Sequence, residues 1–397
     1  MNYLSDRITQ MAESETLAMT QLARELKAQG KDVISLSIGE PDFNTPDTIK
    51  DAAKKAIDEF SPDFLFSINF FPLISDICNI YHIRYISWIV DCPVMELFYK
   101  QISNEWNRVF LFDRAQYDEV KAFNPKHIFH FPLAAGTGRK LKLFEKSSKE
   151  TMKKFSHDIA FVGSLYTEKS PYDAVKNLAS YDEGYLNGIM KAQEGLYGAW
   201  IVDSLLDDRI ISEFKSHHPS FYELDSESYL TDRITLAELY IGNKISAMER
   251  LDTFRALSEK FTVNLYTMSD SSSLPKVRNM GKANSITEMP LIFRNSKINL
   301  NISSKVIRTG LPQRIFDIMS SGGFVLSNYQ AEIGELFEIG SEIAVYESID
   351  DLIDKCEYYL AHESERKEIA EAGFNALLSR YSYNIRIPQM IIKAFEI

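Results

Sequence analysis

Arg314 and Asp317 follow Pro312 in a segment with helical spacing, three residues and so one helical turn apart. A guanidinium in the first turn of a helix can pair bidentately with phosphate, and the positive helix terminus adds to the attraction. Read alone, the two side chains are better explained by a surface salt bridge. Gly322 and Gly323 close that segment and lead into an apolar run, where absent side chains would let backbone amides approach a ligand; a helix C-terminal cap explains at least one of them. Gly163-Ser164 ends another apolar run, a place where ligands collect in open α/β sheets. Lys305 and Arg308 add positive charge, equally readable as solvated. Two groups have the chemistry of a general base: Asp91, before Cys92-Pro93, and His130, before Pro132. Their plain readings are a turn-capping aspartate and a packed core histidine. Asp113-Arg114 is a similar strand-end pair.

These residues sit in a chain of 397 residues with 44 Lys+Arg against 56 Asp+Glu, a formal net charge of -12. An acidic chain repels phosphate backbones, which excludes a general nucleic-acid binder. Hydrophobic residues make up 45% and charged residues 25%, an ordinary globular balance that can bury a large core. The length suits two domains, or three. Cys78, Cys92 and Cys356, without C-x-x-C spacing, write neither a disulfide framework nor a zinc site, so a reducing cytoplasm is the expected location. The first residues lack the pattern of a secretory leader. The most apolar run, 64–75, contains Asn69 and Pro72 and falls short of the roughly 20 residues of a membrane span. It is expected to form a buried strand and a turn, and peripheral attachment to a membrane is left open.

Helical spacing over 17–26 stops at Gly30, then a strand is predicted at 33–38 and a turn at 39–43. Thr45 and Pro46 open a helix expected to bury Ile49, Ala52, Ala53, Ala56, Ile57 and Phe60. From residue 61 the texture changes to aromatic and β-branched runs at 63–68, 85–91, 108–113 and 127–133, which suit strands buried on both faces of a parallel sheet. Seven Lys or Arg in 139–154 predict an interdomain linker, with a solvated helix face as the other reading. A second alternating unit opens with a strand at 158–165 and continues through a mostly helical stretch at 173–261. Strands are then predicted at 261–267, 297–302, 323–327 and 343–346, with helices at 313–321, 349–360 and 363–381. The fold class is α/β, in two lobes.

Residues 1–59 resemble the N-terminus of class I aminotransferases, the pyridoxal-phosphate enzymes related to aspartate aminotransferase. The resemblance runs through Ser5-Asp6-Arg7-Ile8, Ala23-Arg24-Glu25-Leu26 and above all Leu36-Ser37-Ile38-Gly39-Glu40-Pro41-Asp42-Phe43. It implies that Gly39 lies beside a substrate carboxylate. Downstream there is no Asn-Pro-Thr-Gly element and no segment resembling the one that carries the family's Schiff-base lysine, without which that cofactor performs no transamination.

Residues 61–397 resemble the CgeB-like (spore maturation protein type) glycosyltransferases of the GT-B class. The resemblance is carried by Trp88-Ile89-Val90-Asp91-Cys92-Pro93, Phe112-Asp113-Arg114, His130-Phe131-Pro132-Leu133-Ala134, Phe161-Val162-Gly163-Ser164 and Gly310-Leu311-Pro312-Gln313-Arg314 with Ile315-Phe316-Asp317. It implies a GT-B-like fold of two Rossmann-like lobes, the first with a foreign N-terminal segment in place of its own opening strand and helix. The chain then divides into 1–60, aminotransferase-like; 61–150, the remainder of the first lobe, on the acceptor side; 151–382, the nucleotide-sugar lobe; and 383–397, a helix crossing back to the first lobe.

The activity implied is metal-independent transfer of a sugar from a nucleotide-diphosphate donor to a saccharide or protein acceptor, with no cofactor. In that class helix termini and basic side chains neutralise the leaving diphosphate, a role that falls to Arg314 with Gly163, Ser164, Gly322 and Gly323 around it. Asp317 stands where related enzymes bond the donor ribose. Thr309 stands eight residues earlier, where the wider class often has a second glutamate. Asp91 and His130 are the candidate bases. The alternatives are a pyridoxal-phosphate aminotransferase, from residues 1–59 alone, and a non-catalytic nucleotide- or sugar-binding protein.

Overall fold

The computed structural model describes residues 47–222 and 228–395, and the readings at 17–30, 33–38 and 39–46 lie outside them. The described chain forms two units, divided after Pro62. In the first, a helix spans Asp47–Phe60, with Ile57 buried. Phe60, expected on its buried face, is 81% exposed.

The second unit contains two parallel sheets. The first joins β1 (Phe64–Ile68), β2 (Arg84–Ile89), β3 (Asn107–Leu111) and β4 (Ile128–His130) in the order β1-β2-β3-β4. Its two central strands are almost fully buried, as continuous apolar runs demand. β1 departs from the expected burial: it is the outermost described strand, and Phe66, Ile68 and Phe71 are exposed. The second sheet is β10-β9-β8-β5-β6-β7, from β5 (Ile159–Val162), β6 (Val263–Tyr266), β7 (Arg278–Asn279), β8 (Ile298–Asn301), β9 (Val325–Asn328) and β10 (Ala344–Tyr346). The chain leaves β5 toward β6 on one side and returns as β8 on the other, so the strand order reverses between β5 and β8. In open α/β sheets the crevice beyond the carboxyl ends of such strands receives ligands.

The basic stretch between the sheets is not an extended linker. It folds into helices Gly138–Lys146 and Lys149–Lys154, with Lys140 and Phe144 buried and Arg294 stacked 4.6 Å from the Phe144 ring. Helix Tyr383–Phe395 packs on the first sheet: Arg108 donates to Ala394 O at 3.0 Å, and the Arg386 guanidinium lies 3.6 Å from the Phe131 ring. One apolar core runs from Trp88, Phe110 and Phe131 of the first lobe to Ile315, Phe316 and Phe337 of the second.

The carboxyl ends of the two sheets face one another across a charged junction. Arg308, in the loop after β8, meets Glu119 of the first lobe at 2.5 Å and Glu238 at 3.4 Å, with Asp203 at 3.9 Å. Burial opposes the charge on Arg308, but Glu119, Glu238 and Asp113 overcome it and hold its pKa above the ordinary value. Burial, reinforced by the neighbouring Glu119 charge, pushes Glu238 up to about 8.

Two outcomes are expected. The folded protein keeps a proton on Glu238 that the unfolded chain releases above the usual carboxylate range, so this group's contribution to stability falls as pH rises from about 5 to about 8 and then levels off. Glu238→Gln removes that slope. Melting temperatures across that window check it, and parallel wild-type and variant profiles would refute it. At Gly323, a Cβ would come within 2.4 Å of the Phe293 carbonyl oxygen, a backbone atom that cannot step aside. Gly323→Ala therefore costs about 1–3 kcal/mol, read as a melting point lowered by a few degrees.

Candidate functional site

The site is built where β5 and β8 end. After β5 the chain turns through Gly163 and Ser164 into Tyr166, whose φ is +66°. Ser164 Oγ accepts from Tyr166 N at 2.7 Å and donates to Glu168 at 2.7 Å. A Cβ on Gly163 would stand 3.0 Å from the Phe161 ring, so the glycine lets the turn lie close to its own strand. Arg250, from helix Asn243–Lys260, donates to Ser164 O and to Ile302 O, stapling the ends of β5 and β8 together, and its guanidinium lies 4.3 Å from the Tyr166 ring.

Buried polar side chains then fix the loop that follows β8. Asn301 donates to Ser303 Oγ at 3.1 Å and to Ser327 Oγ at 2.9 Å, while Ser303 N donates to Asn328 Oδ1 at 2.8 Å. Lys305 N donates to Ser246 Oγ at 2.9 Å, and Gln330 Nε2 donates to Ile307 O at 3.1 Å. A small cleft lined by Tyr197, Trp200, Ser303, Lys305, Asn328 and Gln330 opens at this edge. Lys305 and Arg308 are not solvated: Lys305 is buried and donates to Glu194 O and Leu196 O, and Arg308 is held in the carboxylate cluster.

The first lobe grips the same loop. Asp113, fully buried, caps helix Arg114–Val120 by accepting from Ala115 N at 2.8 Å and Gln116 N at 3.3 Å through Oδ1. It also reaches across the junction, accepting from Arg308 N at 2.7 Å and from Thr309 Oγ1 at 2.8 Å. Cys92 Sγ donates to Val306 O at 3.1 Å. Beside them Glu332, 1% exposed, accepts from Arg114 N at 2.9 Å and meets His130 Nε2 at 2.7 Å. Burial would raise the Glu332 pKa, but bonds from His130, Arg114 N and Thr309 outweigh it and hold the carboxyl below the ordinary range. An ionised Glu332 accepts, so Nε2 is the His130 nitrogen that carries hydrogen.

Of the residues singled out in the sequence, Gly163, Ser164 and Arg314 lie at the crevice edge. Arg314 occupies the first turn of helix Gln313–Met319 and is partly exposed. Its guanidinium meets Met289 Sδ at 2.7 Å and Asp317 at 3.8 Å. Burial lowers its pKa, and the neighbouring Arg250 charge lowers it further against the opposing pull of Asp317. Asp317 is engaged elsewhere, accepting from the buried Lys140 at 3.2 Å. His130 is committed to Glu332, whereas Asp91 is exposed at the end of β2 and accepts from Asn69 Nδ2 at 2.7 Å.

Gly322 and Gly323 require a correction. They precede β9 and so lie at the opposite end of the sheet from the crevice. Gly322 has φ +72° behind the helix, a conformation glycine adopts freely, and Gly323 packs against Phe293 and Asn299. Their role is packing. Sequence reasoning gave Arg250 and Glu332 no role and noted Asp113 only as half of a strand-end pair. The local signal for Asp113 is that of a helix N-cap; its partners lie far along the chain.

Comparison with known proteins fits this architecture. Residues 250–392 match the family model described as glycosyl transferase-like. Sucrose-phosphate synthase from Thermosynechococcus elongatus superposes with a TM-score of 0.51 at 9% identity, over 96% of this chain and 92% of that one, a likeness of fold alone. Short matches run to aminotransferases: aspartate/prephenate aminotransferase of Cereibacter sphaeroides is 59% identical over 58 residues, 15% of this chain, and aspartate aminotransferase of Geobacillus stearothermophilus is 57% identical over 56 residues, 14% of this chain. The chain spans 14% of the length of each of these two relatives. The fold is GT-B-like α/β with parallel sheets, the sequence of residues 250–392 is glycosyl transferase-like, and a short further segment is aminotransferase-like.

Proposed function

We propose that the protein is a glycosyltransferase of the CgeB-like type that moves a sugar from a nucleotide-diphosphate donor to a saccharide or protein acceptor. The observation that carries this reading is that the glycosyl transferase-like sequence, residues 250–392, builds the β8 side of the crevice between β5 and β8. The donor diphosphate lies between the Gly163-Ser164 turn and Arg314, and the Arg250 charge adds to the field there. These cations do the work of neutralising the leaving group, and no step requires a metal. Asp317 acts through Lys140 and the helix that carries Arg314. Asp91 is the base in this reading, because its carboxylate is exposed at the carboxyl edge of the first sheet; His130 serves the lobe junction. Aminotransferase chemistry has no comparable support, since its matches extend over 14% of those enzymes.

Thermal-shift titration with UDP, GDP and ADP tests the donor site, because a ligand that binds only the folded state raises the melting point with concentration. A rising shift with one nucleoside diphosphate is expected. Arg314→Ala should weaken that binding by roughly 10- to 100-fold, the worth of a charge-assisted phosphate contact of about 1.5–3 kcal/mol. A folded protein that responds to none of the three nucleotides would contradict the reading.

A further inference from the structure

We propose that Asp113 of the first lobe is a positioning residue for the donor loop of the second, so that the loop takes its ligand-ready shape only while the lobes are closed. The inference rests on the donor reading given above, but its geometry stands apart from it. One carboxylate does two jobs with two oxygens. Oδ1 accepts from Ala115 N, Gln116 N and Thr309 Oγ1, which holds its own helix and the loop side chain; Oδ2 accepts from Arg308 N at 2.7 Å. The bond through Oδ2 fixes the loop backbone itself. Thr309 Oγ1 returns the contact by accepting from Ala115 N at 3.0 Å.

Gly310 is the second observation. A Cβ there would stand 2.7 Å from Asp113 Cα and 2.8 Å from Phe112 O, so the loop backbone runs against the end of β3 at a distance only glycine permits. The third is Arg308, whose side chain is paired with Glu119 of the first lobe while its amide is bonded to Asp113. Pulling the lobes apart would take Glu119 from its side chain and Asp113 from its amide together, leaving the guanidinium to Glu238 and Asp203 and the half-buried Glu119 carboxylate without this cation, a costly change. The loop continues without interruption through Leu311 and Pro312 into the helix that carries Arg314. Its shape therefore sets where that guanidinium stands.

Asp113→Asn separates the two jobs. Asparagine keeps an acceptor where Oδ1 is, and with it the helix cap and the Thr309 bond, but sets an amide donor against Arg308 N–H. The wild-type protein and this variant are compared by hydrogen exchange without ligand and by titration with UDP, GDP and ADP. The variant should melt within a few degrees of wild type with unchanged exchange over Arg114–Val120. Exchange at Arg308 and its loop neighbours should rise about tenfold or more, and nucleotide affinity should fall about tenfold, the worth of one buried charge-assisted bond. Gly310→Ala, which forces the same separation by size, should do likewise. Unchanged loop exchange in both variants would overturn the proposal, and so would faster exchange with unchanged affinity. Wild-type protein that binds none of the three nucleotides would overturn both the donor reading and the coupling built on it, while the exchange data would still report whether Asp113 orders the loop.

Discussion

A short length of backbone, Val306 to Gly310, must pass between the carboxyl ends of two parallel sheets, and most of the second unit is arranged around that passage. The loop leaves a buried strand, so each of its polar groups needs a partner inside the protein. Its own lobe supplies some of them: Gln330 donates to Ile307 O, and just upstream Asn328, at the end of β9, and Ser246, on helix Asn243–Lys260, accept from Ser303 N and Lys305 N. The first lobe supplies others, through Asp113 and Cys92. Because the partners come from both lobes, the loop is a joint between them, and the space allowed to it is the space glycine leaves at position 310.

The frame was largely legible in the sequence because its strands are buried on both faces and so read as continuous apolar runs. The runs at 85–91 and 108–113 and the later ones at 158–165 and 297–302 each overlap a strand of the sheets. Misreadings arose where burial depends on something other than the local pattern. The run at 63–68 looks like a central strand but is the outermost described one, because composition does not carry sheet order. The stretch 139–154 looks solvated because of its charges, yet Lys140 is buried against Asp317 and Ser320 while its neighbours face water. Lysine at such a place keeps an apolar stem in the core and needs one acceptor for its head.

The site was harder to read for a physical reason. A charged side chain announces its charge in sequence but not its partner, and the partners here are remote: Arg308 and Glu119 are 189 positions apart, and His130 and Glu332 are 202. Local reasoning assigns such residues to solvent, since burying an unpaired charge is prohibitive. The assignment fails when two lobes bring opposite charges to one junction. Glycines mislead in the converse direction. Gly322 and Gly323 advertise backbone freedom, but the freedom is spent on a helix end and on contact with Phe293, at the edge of the sheet where no strand delivers its carboxyl end.

The two ends of the loop differ in their balance of charge. Around Arg308 the fold supplies more carboxylate than guanidinium, and Glu238 responds by keeping its proton. Around Arg314 the imbalance is reversed. Arg250 is close enough to depress its pKa, Asp317 is the opposing carboxylate, and Asp317 is shared with Lys140. A protein can relieve an excess of buried carboxylate by protonation, but a guanidinium has no accessible neutral form. An excess of guanidinium is relieved only by an anion from outside or by exposure to water, and Arg314 remains partly exposed. The two ends of one loop thus face opposite electrostatic conditions. At Arg308 the pairing with Glu119 joins the lobes, and at Arg314 the guanidinium stays partly open to water.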